Sequence, residues 1–244
     1  MKLLRRLLLG LALLLFLAAS ASAQWATQTL PLRPGWNSVF LEVHPQPAEC
    51  DVILAGLPVE SVWAWNKRFS AVQFIQDPNT LIPAQPDWLT WIPTNHPMAS
   101  QINLFILQGG KSYLIKLATN AAPINLVLHG YPNVRKPEWL TDSFNLAGFS
   151  LDPASPPTFR TFFSPSSALG NSTVYRLLTS GYWTNIPNTS LMQSGEGFWI
   201  KCNGASDFAG PMNLSLPQRD GLDYGRTLVE QTLTINSHFG GNFG

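Results

Sequence analysis

One stretch of this chain occurs twice, and the repetition constrains the fold more than any other feature of the sequence. Residues 107–116 read LQGGKSYLIK, and residues 192–201 read MQSGEGFWIK. Each copy predicts a glycine turn followed by a strand, because aromatic and β-branched residues favour strands and glycine favours turns. A strand unit that recurs in this way predicts a chain built from two similar halves.

Three further segments recur in the same order along the chain. The matched pairs are 32–45 with 141–153, 61–65 with 173–177, and 123–128 with 211–216. Four matches in the same order predict a duplicated unit of strands. Each unit has one short helix, placed at 48–57 in the first half and at 158–163 in the second. The recurring aromatic positions Trp36, Trp63 and Trp199 are expected to lie in the core.

The composition supports a mostly β fold. The 244 residues include 20 Pro, 18 Gly and 9 Trp, and only 12% are charged, which is typical of short strands joined by turns. We expect two tandem homologous modules, each a small β-sandwich or partly open barrel with one short helix. The expected boundaries are 1–23 for a signal peptide, 24–131 and 132–217 for the modules, and 218–244 for a C-terminal tail. The sequence leaves open whether the modules share one core.

The chain begins like an exported protein. Three basic residues precede an apolar run from Leu7 to Ala19 and a small-residue site that ends at Ala23, which is the pattern of a signal peptide. We therefore expect a secreted, periplasmic or cell-surface protein with no membrane span after cleavage. Without the three signal cations, 12 of the 15 Lys and Arg remain against 14 Asp and Glu, a net charge of −2. A near-neutral chain offers no basic footprint for nucleic acid, which is not an expected partner.

The C-terminal tail, 218–244, contains an alternating stretch at 227–235 that predicts a strand with one buried face. A lone strand has nothing to cover that face. The strand either pairs back onto the second half or begins a further β-domain of a longer, truncated protein, and our interpretation favours the second.

Several of the repeated motifs resemble those of a known group of proteins. The GWN at 35–37, the VWAW at 62–65 and the GEGFWIK at 195–201 are similar to repeats in large exported, multidomain bacterial surface proteins. In those repeats a GWN opening strand, a VW-x-W/Y strand and a G-x-G-Y/F-W closing strand recur, often beside immunoglobulin-like or other adhesive modules. The resemblance covers residues 30–217, and the second half departs from it with SFN at 143–145. It implies export and modular surface display, and it implies no catalytic residue.

The two cysteines permit a disulfide in an exported chain. Cys50 lies in the first predicted helix and Cys202 follows the second copy of the repeated strand, so a bridge would tie the two halves together. Alternatively, Cys202 packs as a buried thiol, because it matches the apolar Leu117 of the first half. Neither the cysteines nor the four histidines have the spacing of metal ligands, so no metal and no other cofactor is expected.

A proline-rich insertion at 77–101 carries the candidate ligand-binding residues Trp88, Trp91 and His96. Its prolines predict an ordered surface loop rather than a central strand or a helix. If Trp88 and Trp91 are exposed, they form a stacking platform for sugar rings or a docking patch for a partner protein. If they are buried, they anchor the loop as a small core of its own, which is the favoured interpretation.

No catalytic motif is present in the sequence. The carboxylates considered for glycoside hydrolysis, Asp77 with Asp87 and Glu138 with Asp142, have no supporting motif. We therefore expect a non-catalytic exported module with a structural or adhesive role. A carbohydrate-binding module that uses the aromatic loop is the alternative, and a secreted glycoside hydrolase comes third. The expected partners are a polysaccharide or a cell-surface protein.

Overall fold

The computed structural model describes residues 25–215 and 230–237, and this part of the chain is mostly β, as predicted. Four antiparallel sheets hold its strands, and its two α-helices span only four and five residues. The expected signal peptide at 1–23 and most of the expected tail at 218–244 lie outside the described residues.

The elements follow one another in this order along the chain. The first half contains β1 (Ala26–Leu32), β2 (Gly35–Phe40), β3 (Val43–Pro45), α1 (Cys50–Ile53), β4 (Val59–Trp65), β5 (Trp88–Trp91), β6 (Ser112–Leu117) and β7 (Ile124–Pro132). The second half contains β8 (Phe144–Ala147), α2 (Phe159–Phe163), β9 (Val174–Leu177), β10 (Trp183–Ile186), β11 (Phe198–Lys201), β12 (Met212–Ser215) and β13 (Thr234–Ser237). Short 3₁₀ helices lie at Pro78–Thr80 and Ala99–Gln101.

Two of the sheets have the same strand order. The first-half sheet runs β2-β6-β4-β5 and the second-half sheet runs β8-β11-β9-β10, with every neighbouring pair antiparallel. Their registers agree as well, since Trp63 lies opposite Leu114 in the first sheet and Tyr175 lies opposite Trp199 in the second. The repeated segments of the sequence therefore form equivalent strands.

The asparagine of each repeated aromatic–asparagine pair makes the same contacts in both halves. The Asn37 amide accepts from Arg33 N at 2.9 Å and donates to Arg33 O at 2.8 Å. The Asn145 amide accepts from Leu140 N at 2.8 Å and donates to Leu140 O at 3.1 Å. Each side chain thus holds the loop that leads into the opening strand of its sheet, because it satisfies backbone groups that have no ladder partner.

The residue before each asparagine is an aromatic that carries a lysine above its ring. The Lys116 ammonium lies 5.7 Å from the Trp36 ring centroid, and the Lys201 ammonium lies 5.5 Å from that of Phe144. Both pairs sit at matched cross-strand positions, where opposed side chains are close enough to interact. This explains why each repeated strand ends on a lysine.

The two four-stranded sheets pack face to face and share a core. Alternate residues of each strand point into it, so equivalent positions of the two halves meet there. Its aromatic members from the first half are Trp36, Trp63, Trp65 and Trp88, and those from the second half are Phe144, Tyr175, Trp183 and Trp199. The question that the sequence left open is thereby answered: the halves are joined through one interior layer, which we call the shared core.

Each four-stranded sheet buries its other face against elements of its own half. In the first half, a three-stranded sheet of order β1-β7-β3 covers it, with Leu30 and Leu126 in the layer between. In the second half, α2 and the loops around it cover it with a layer rich in phenylalanine. The helix begins after Thr158, whose hydroxyl accepts from Thr161 N at 3.1 Å as an N-cap. The structure is thus a stack of layers, in which β4, β6 and β11 are buried on both faces.

The segment 77–101 was predicted to be a loop throughout, and this prediction is wrong for the residues that form a strand. Trp88–Trp91 forms β5, which pairs with β4 at the edge of the first sheet. An edge strand tolerates flanking prolines because the missing N–H groups cost no ladder bond on the open side. By register, Trp88 is the equivalent of Trp183.

The last described strand pairs back onto the second half. The residues of β13 run antiparallel to β12, with Met212 opposite Ser237. This strand overlaps the predicted strand at 227–235 only at residues 234 and 235, and all four of its residues are exposed, so it has no buried face.

Candidate functional site

The two tryptophans of the predicted aromatic platform lie in the interior. Trp88 is 1% exposed and Trp91 is 5% exposed. The Trp88 indole donates to Gln76 Oε1 at 2.8 Å, and the Trp91 indole donates to Asp51 Oδ1 at 2.7 Å. Rings that are buried and hydrogen-bonded in this way cannot stack against a sugar, so the exposed platform considered from the sequence is not formed.

His96 does not join the two tryptophans in a common site. Its side chain is exposed, and its Nδ1 accepts from Met98 N at 3.1 Å within the surface turn that precedes the second 3₁₀ helix. The three residues singled out in the insertion are therefore divided between the interior and the surface.

The two cysteines are free thiols, so the bridge considered from the sequence is not formed. Cys50 is buried in the layer beneath the three-stranded sheet, whereas Cys202 is buried in the phenylalanine-rich layer of the second half. The alternative of a packed thiol describes Cys202. Burial, together with the charge of Asp51, raises the pKa of the Cys50 thiol to about 12, and burial also raises the pKa of the Cys202 thiol.

Both thiols are expected to stay unreactive in the folded protein, because thiolate is the reactive form and burial suppresses it. We expect a thiol reagent such as DTNB to label neither cysteine in buffer and both in denaturant without added reductant. Mass spectrometry of the labelled chain counts the thionitrobenzoate adducts. A chain that resists labelling in denaturant until it is reduced would contain the disulfide and contradict the structure.

The carboxylates considered for hydrolysis make separate local contacts. Asp77 Oδ1 accepts from Asn79 N at 2.9 Å at the start of a 3₁₀ helix. Asp142 Oδ1 accepts from Gly204 N at 2.7 Å, and Glu138 pairs with Lys67. None of these contacts brings two carboxylates together.

The two halves are joined by backbone hydrogen bonds on one side of the shared core, which we call the closed side. Phe40 N donates to Gly195 O at 2.8 Å, and Gly197 N donates to Ser38 O at 3.1 Å. The approach requires glycine, because a Cβ on Gly197 would lie 2.7 Å from Ser38 Oγ. The equivalent of Gly197 in the first half is Ser112, which has a side chain at that place.

A largely buried ion pair completes the closed side. Arg176 Nε lies 2.9 Å from Glu196 Oε1, with side chains 19% and 17% exposed. The guanidinium also donates to Leu191 O at 2.7 Å and lies 5.3 Å from the Phe198 ring centroid. Burial raises the pKa of the Glu196 carboxyl to about 7, although the charge and hydrogen bonding of Arg176 oppose the rise. This group therefore titrates near neutrality.

The raised pKa of Glu196 makes stability depend on pH in a defined direction. The folded state binds the proton more tightly than the unfolded state, whose pKa is near the ordinary 4.5. The contribution is fully present below pH 4.5 and is lost as the pH rises through 7, by roughly 3 kcal/mol at most. We expect Glu196→Gln to flatten the change in unfolding free energy between pH 5 and pH 8, measured by urea denaturation.

The matched control for this prediction is Glu60→Gln. Glu60 forms an exposed pair with Lys116 at 3.1 Å, so its removal leaves the buried carboxyl in place. We expect this variant to retain the pH dependence of the wild type. Equal slopes for the wild type and Glu196→Gln would contradict the assignment.

The equivalent segments on the other side of the shared core do not join. No backbone hydrogen bond connects 110–112 with 146–148 in the described part of the chain, and both segments line a cavity of about 1210 Å³. We call this cavity the cleft. The positions that hold Arg176 and Glu196 on the closed side are occupied here by Ala64 and Lys111, so the ion pair that fills one side has no counterpart in the cleft.

The segment between the halves forms another wall of the cleft and is tied in place at both ends. Asn133 N donates to Glu42 O at 2.8 Å, and the Lys67 ammonium donates to Glu138 O at 2.8 Å. The Trp139 indole donates to Phe208 O at 2.7 Å. These contacts hold the walls of the cleft in a defined position.

Sequence reasoning missed the cleft residues, and one signal for them was available. Lys111 and Glu196 occupy the same position of the repeated stretch with opposite charges, and Ala64 and Arg176 differ in the neighbouring strand. These two differences in charge between matched positions lie close together, and they mark the place where the two halves differ. Which of the two sides is open depends on packing.

Comparisons with protein-family models, with curated proteins and with solved structures find no match to this chain. Within residues 25–215 and 230–237, no helix is long and apolar enough to cross a membrane. The same residues contain no group of three or more His, Cys, Asp or Glu side chains placed to hold a metal ion.

Proposed function

We propose that the protein is a non-catalytic exported module with an adhesive role, and that the cleft is its binding surface. The observation that carries the proposal is the difference between two equivalent sides: one is closed by backbone bonds and an ion pair, and the other is open and lined by side chains. A cavity between two joined units is a common location for a binding site.

The shared core supports this role in a second way. The tryptophans of the repeated strands pack against one another between the sheets, which makes the two halves one interlocked body. A body of this kind keeps the walls of the cleft in fixed positions, so binding costs little ordering of the protein. Export is supported by the sequence pattern of residues 1–23 and by the resemblance to repeats of bacterial surface proteins.

Carbohydrate binding through Trp88 and Trp91 is no longer the alternative, because both rings are interior. Trp65 and Trp139 line the cleft instead, so an aromatic surface for a ligand exists at a different place from the one considered in the sequence.

An adhesion assay tests the proposal. Purified protein is applied to surfaces coated with neutral polysaccharides, acidic polysaccharides or extracellular proteins, and retained protein is measured after washing. Ser150→Trp fills the cleft from an exposed lining position, and Ser180→Trp makes the same change at an exposed position outside it. We expect retention on at least one surface that is lost in Ser150→Trp and kept in Ser180→Trp. Retention on none, or equal retention by both variants, would contradict the proposal.

A further inference from the structure

The positive charges of the described residues are concentrated in the cleft. Five of the ten Lys and Arg side chains in the described residues line it, against two of the twelve Asp and Glu. The cationic members are Lys67, Arg68, Lys111, Arg135 and Lys136, and the acidic members are Glu138 and Asp152. The described side chains that line the cleft therefore carry a net charge of +3, five positive charges against two negative ones. Concave surfaces of one sign concentrate ligands of the other sign.

Lys111 shows that this charge is only partly compensated. It forms no ion pair with a described residue, whereas Lys67 lies 3.3 Å from Glu138 Oε2. Lys111 keeps contact with solvent at the mouth of the cleft, yet burial by the walls lowers the pKa of its ammonium. The charges of Lys67, Arg135 and Arg68 lower that pKa further. A bound anion would relieve both effects, since an opposite charge favours the protonated form.

The cleft also presents apolar rings between its cations. Trp65 and Trp139 line it as half-buried rings, and Trp139 is held in place because it stacks on the buried Phe149 with their planes 26° apart. Flat aromatic side chains beside a few charged groups suit a ligand that has apolar ring faces and acidic substituents. Sugar rings with carboxylate or sulfate groups combine these two properties.

The size of the cleft excludes a single small anion as a filling ligand. Its volume of about 1210 Å³ exceeds the roughly 300–1,000 Å³ of pockets that enclose drug-sized ligands. A segment of several linked rings matches this volume and spans the cations on both walls. The side chains of Lys111 and Arg68 belong to the first half, and those of Arg135 and Lys136 to the wall between the halves.

We propose that the cleft binds a segment of an acidic polysaccharide, whose carboxylate or sulfate groups pair with Lys111 and Arg68 and whose rings pack against Trp65 and Trp139. The proposal rests on the proposed function, because it takes the cleft as the binding surface, and it adds the chemical class of the ligand. Arginine and lysine recognise such groups through charge-assisted hydrogen bonds.

Isothermal titration calorimetry of the purified protein tests the ligand class with four polymers. Polygalacturonate carries carboxylates, dextran sulfate carries sulfates, dextran is the neutral match of the latter, and poly-L-glutamate is acidic without sugar rings. We expect both acidic polysaccharides to bind, with affinity that falls as salt is added, and dextran not to bind. We expect poly-L-glutamate to bind on the order of tenfold more weakly than polygalacturonate, since it lacks the rings.

Variants place the binding in the cleft. We expect Lys111→Gln/Arg68→Gln to weaken binding of both acidic polysaccharides by roughly tenfold or more. Arg160→Gln removes an exposed charge outside the cleft and is expected to leave binding unchanged. Circular dichroism confirms that each variant is folded.

The outcomes separate this inference from the proposed function. If dextran binds as tightly as dextran sulfate and Ser150→Trp abolishes this binding, the cleft remains the binding site, but the inference that its ligand is acidic is overturned. If poly-L-glutamate binds as tightly as polygalacturonate, the inference that the ligand is a polysaccharide is overturned. Acidic binding that is unchanged in Lys111→Gln/Arg68→Gln would overturn the site, and no binding that depends on the cleft in any assay would overturn both proposals.

Discussion

Replacing Trp199 with alanine is expected to lower the unfolding free energy by about 3–5 kcal/mol, the range for removing a buried aromatic side chain. The side chain is fully buried, and its ring meets three other tryptophans edge to face. Trp65 and Trp88 come from the first half, at centroid distances of 5.1 and 6.3 Å, and Trp183 comes from the second, at 6.2 Å. The cavity left by this substitution lies between two sheets that cannot both close over it, so little of the loss is recovered.

Urea unfolding followed by far-ultraviolet circular dichroism measures this effect, because tryptophan fluorescence changes with the substitution itself. Trp25→Ala is the matched control, since that ring is 54% exposed. We expect it to change the unfolding free energy by less than about 1 kcal/mol, as exposed sites generally do. A loss below 1 kcal/mol for Trp199→Ala would show that the two sheets do not depend on the shared core.

Replacing Arg176 with alanine is expected to have a comparable effect, about 3–5 kcal/mol at pH 8, because it leaves a buried carboxylate without its partner. Glu196 Oε2 already has no hydrogen-bond partner among the described residues, so Arg176 supplies most of the compensation for its charge. The loss should be smaller at pH 5, where Glu196, with a pKa of about 7, takes up a proton. Urea unfolding at the two pH values measures the difference.

The double variant Arg176→Met/Glu196→Met distinguishes lost charge compensation from lost packing. Methionine fills irregular space without a charge, and buried ion pairs are often replaced by apolar residues at little cost. We expect the double variant to be more stable at pH 8 than Arg176→Ala alone. A double variant that is the less stable of the two, or an Arg176→Ala loss that is equal at pH 5 and pH 8, would contradict the role assigned to this pair.

The repeated strand could be predicted because its pattern is local and complete in the sequence. Glycine, aromatic residues and a closing lysine recur at fixed spacing, and the structure uses the lysine in the same way in both halves, since Lys116 and Lys201 cover equivalent rings. The interior position of Trp63 and Trp199 followed from the same pattern and is confirmed, whereas Trp36 is only half-buried.

The strand within the predicted loop could not be recognised from the local sequence. Proline density around Trp88 and Trp91 argues against a central strand, but it does not argue against an edge strand, whose outer side needs no partner. The match of Trp88 with Trp183 was available in the sequence, since each is followed three residues later by a large apolar residue. Four residues are too short a segment to recognise as a strand until the neighbouring strand is in place.

The disulfide and the cleft could not be predicted for a different reason. Cys50 and Cys202 are buried in different core layers, one in each half, and no sequence spacing shows which layer a thiol enters. The cleft depends on differences between two equivalent sides: the side with Gly197 leaves no room for a Cβ at that position, and the matching position of the first half is Ser112. The effect of such a difference can be recognised only when the two halves are compared in three dimensions.

The central claim is that the two halves form one body through the shared core, and amide hydrogen exchange tests it most directly. The measurement compares protection in β4 and β6 of the first half between the wild type and Trp199→Ala, a substitution in the second half. We expect protection to fall in both halves by a similar factor, roughly a hundredfold or more, which corresponds to about 3 kcal/mol. Wild-type protection in β4 and β6, with loosening confined to β9 and β11, would contradict it.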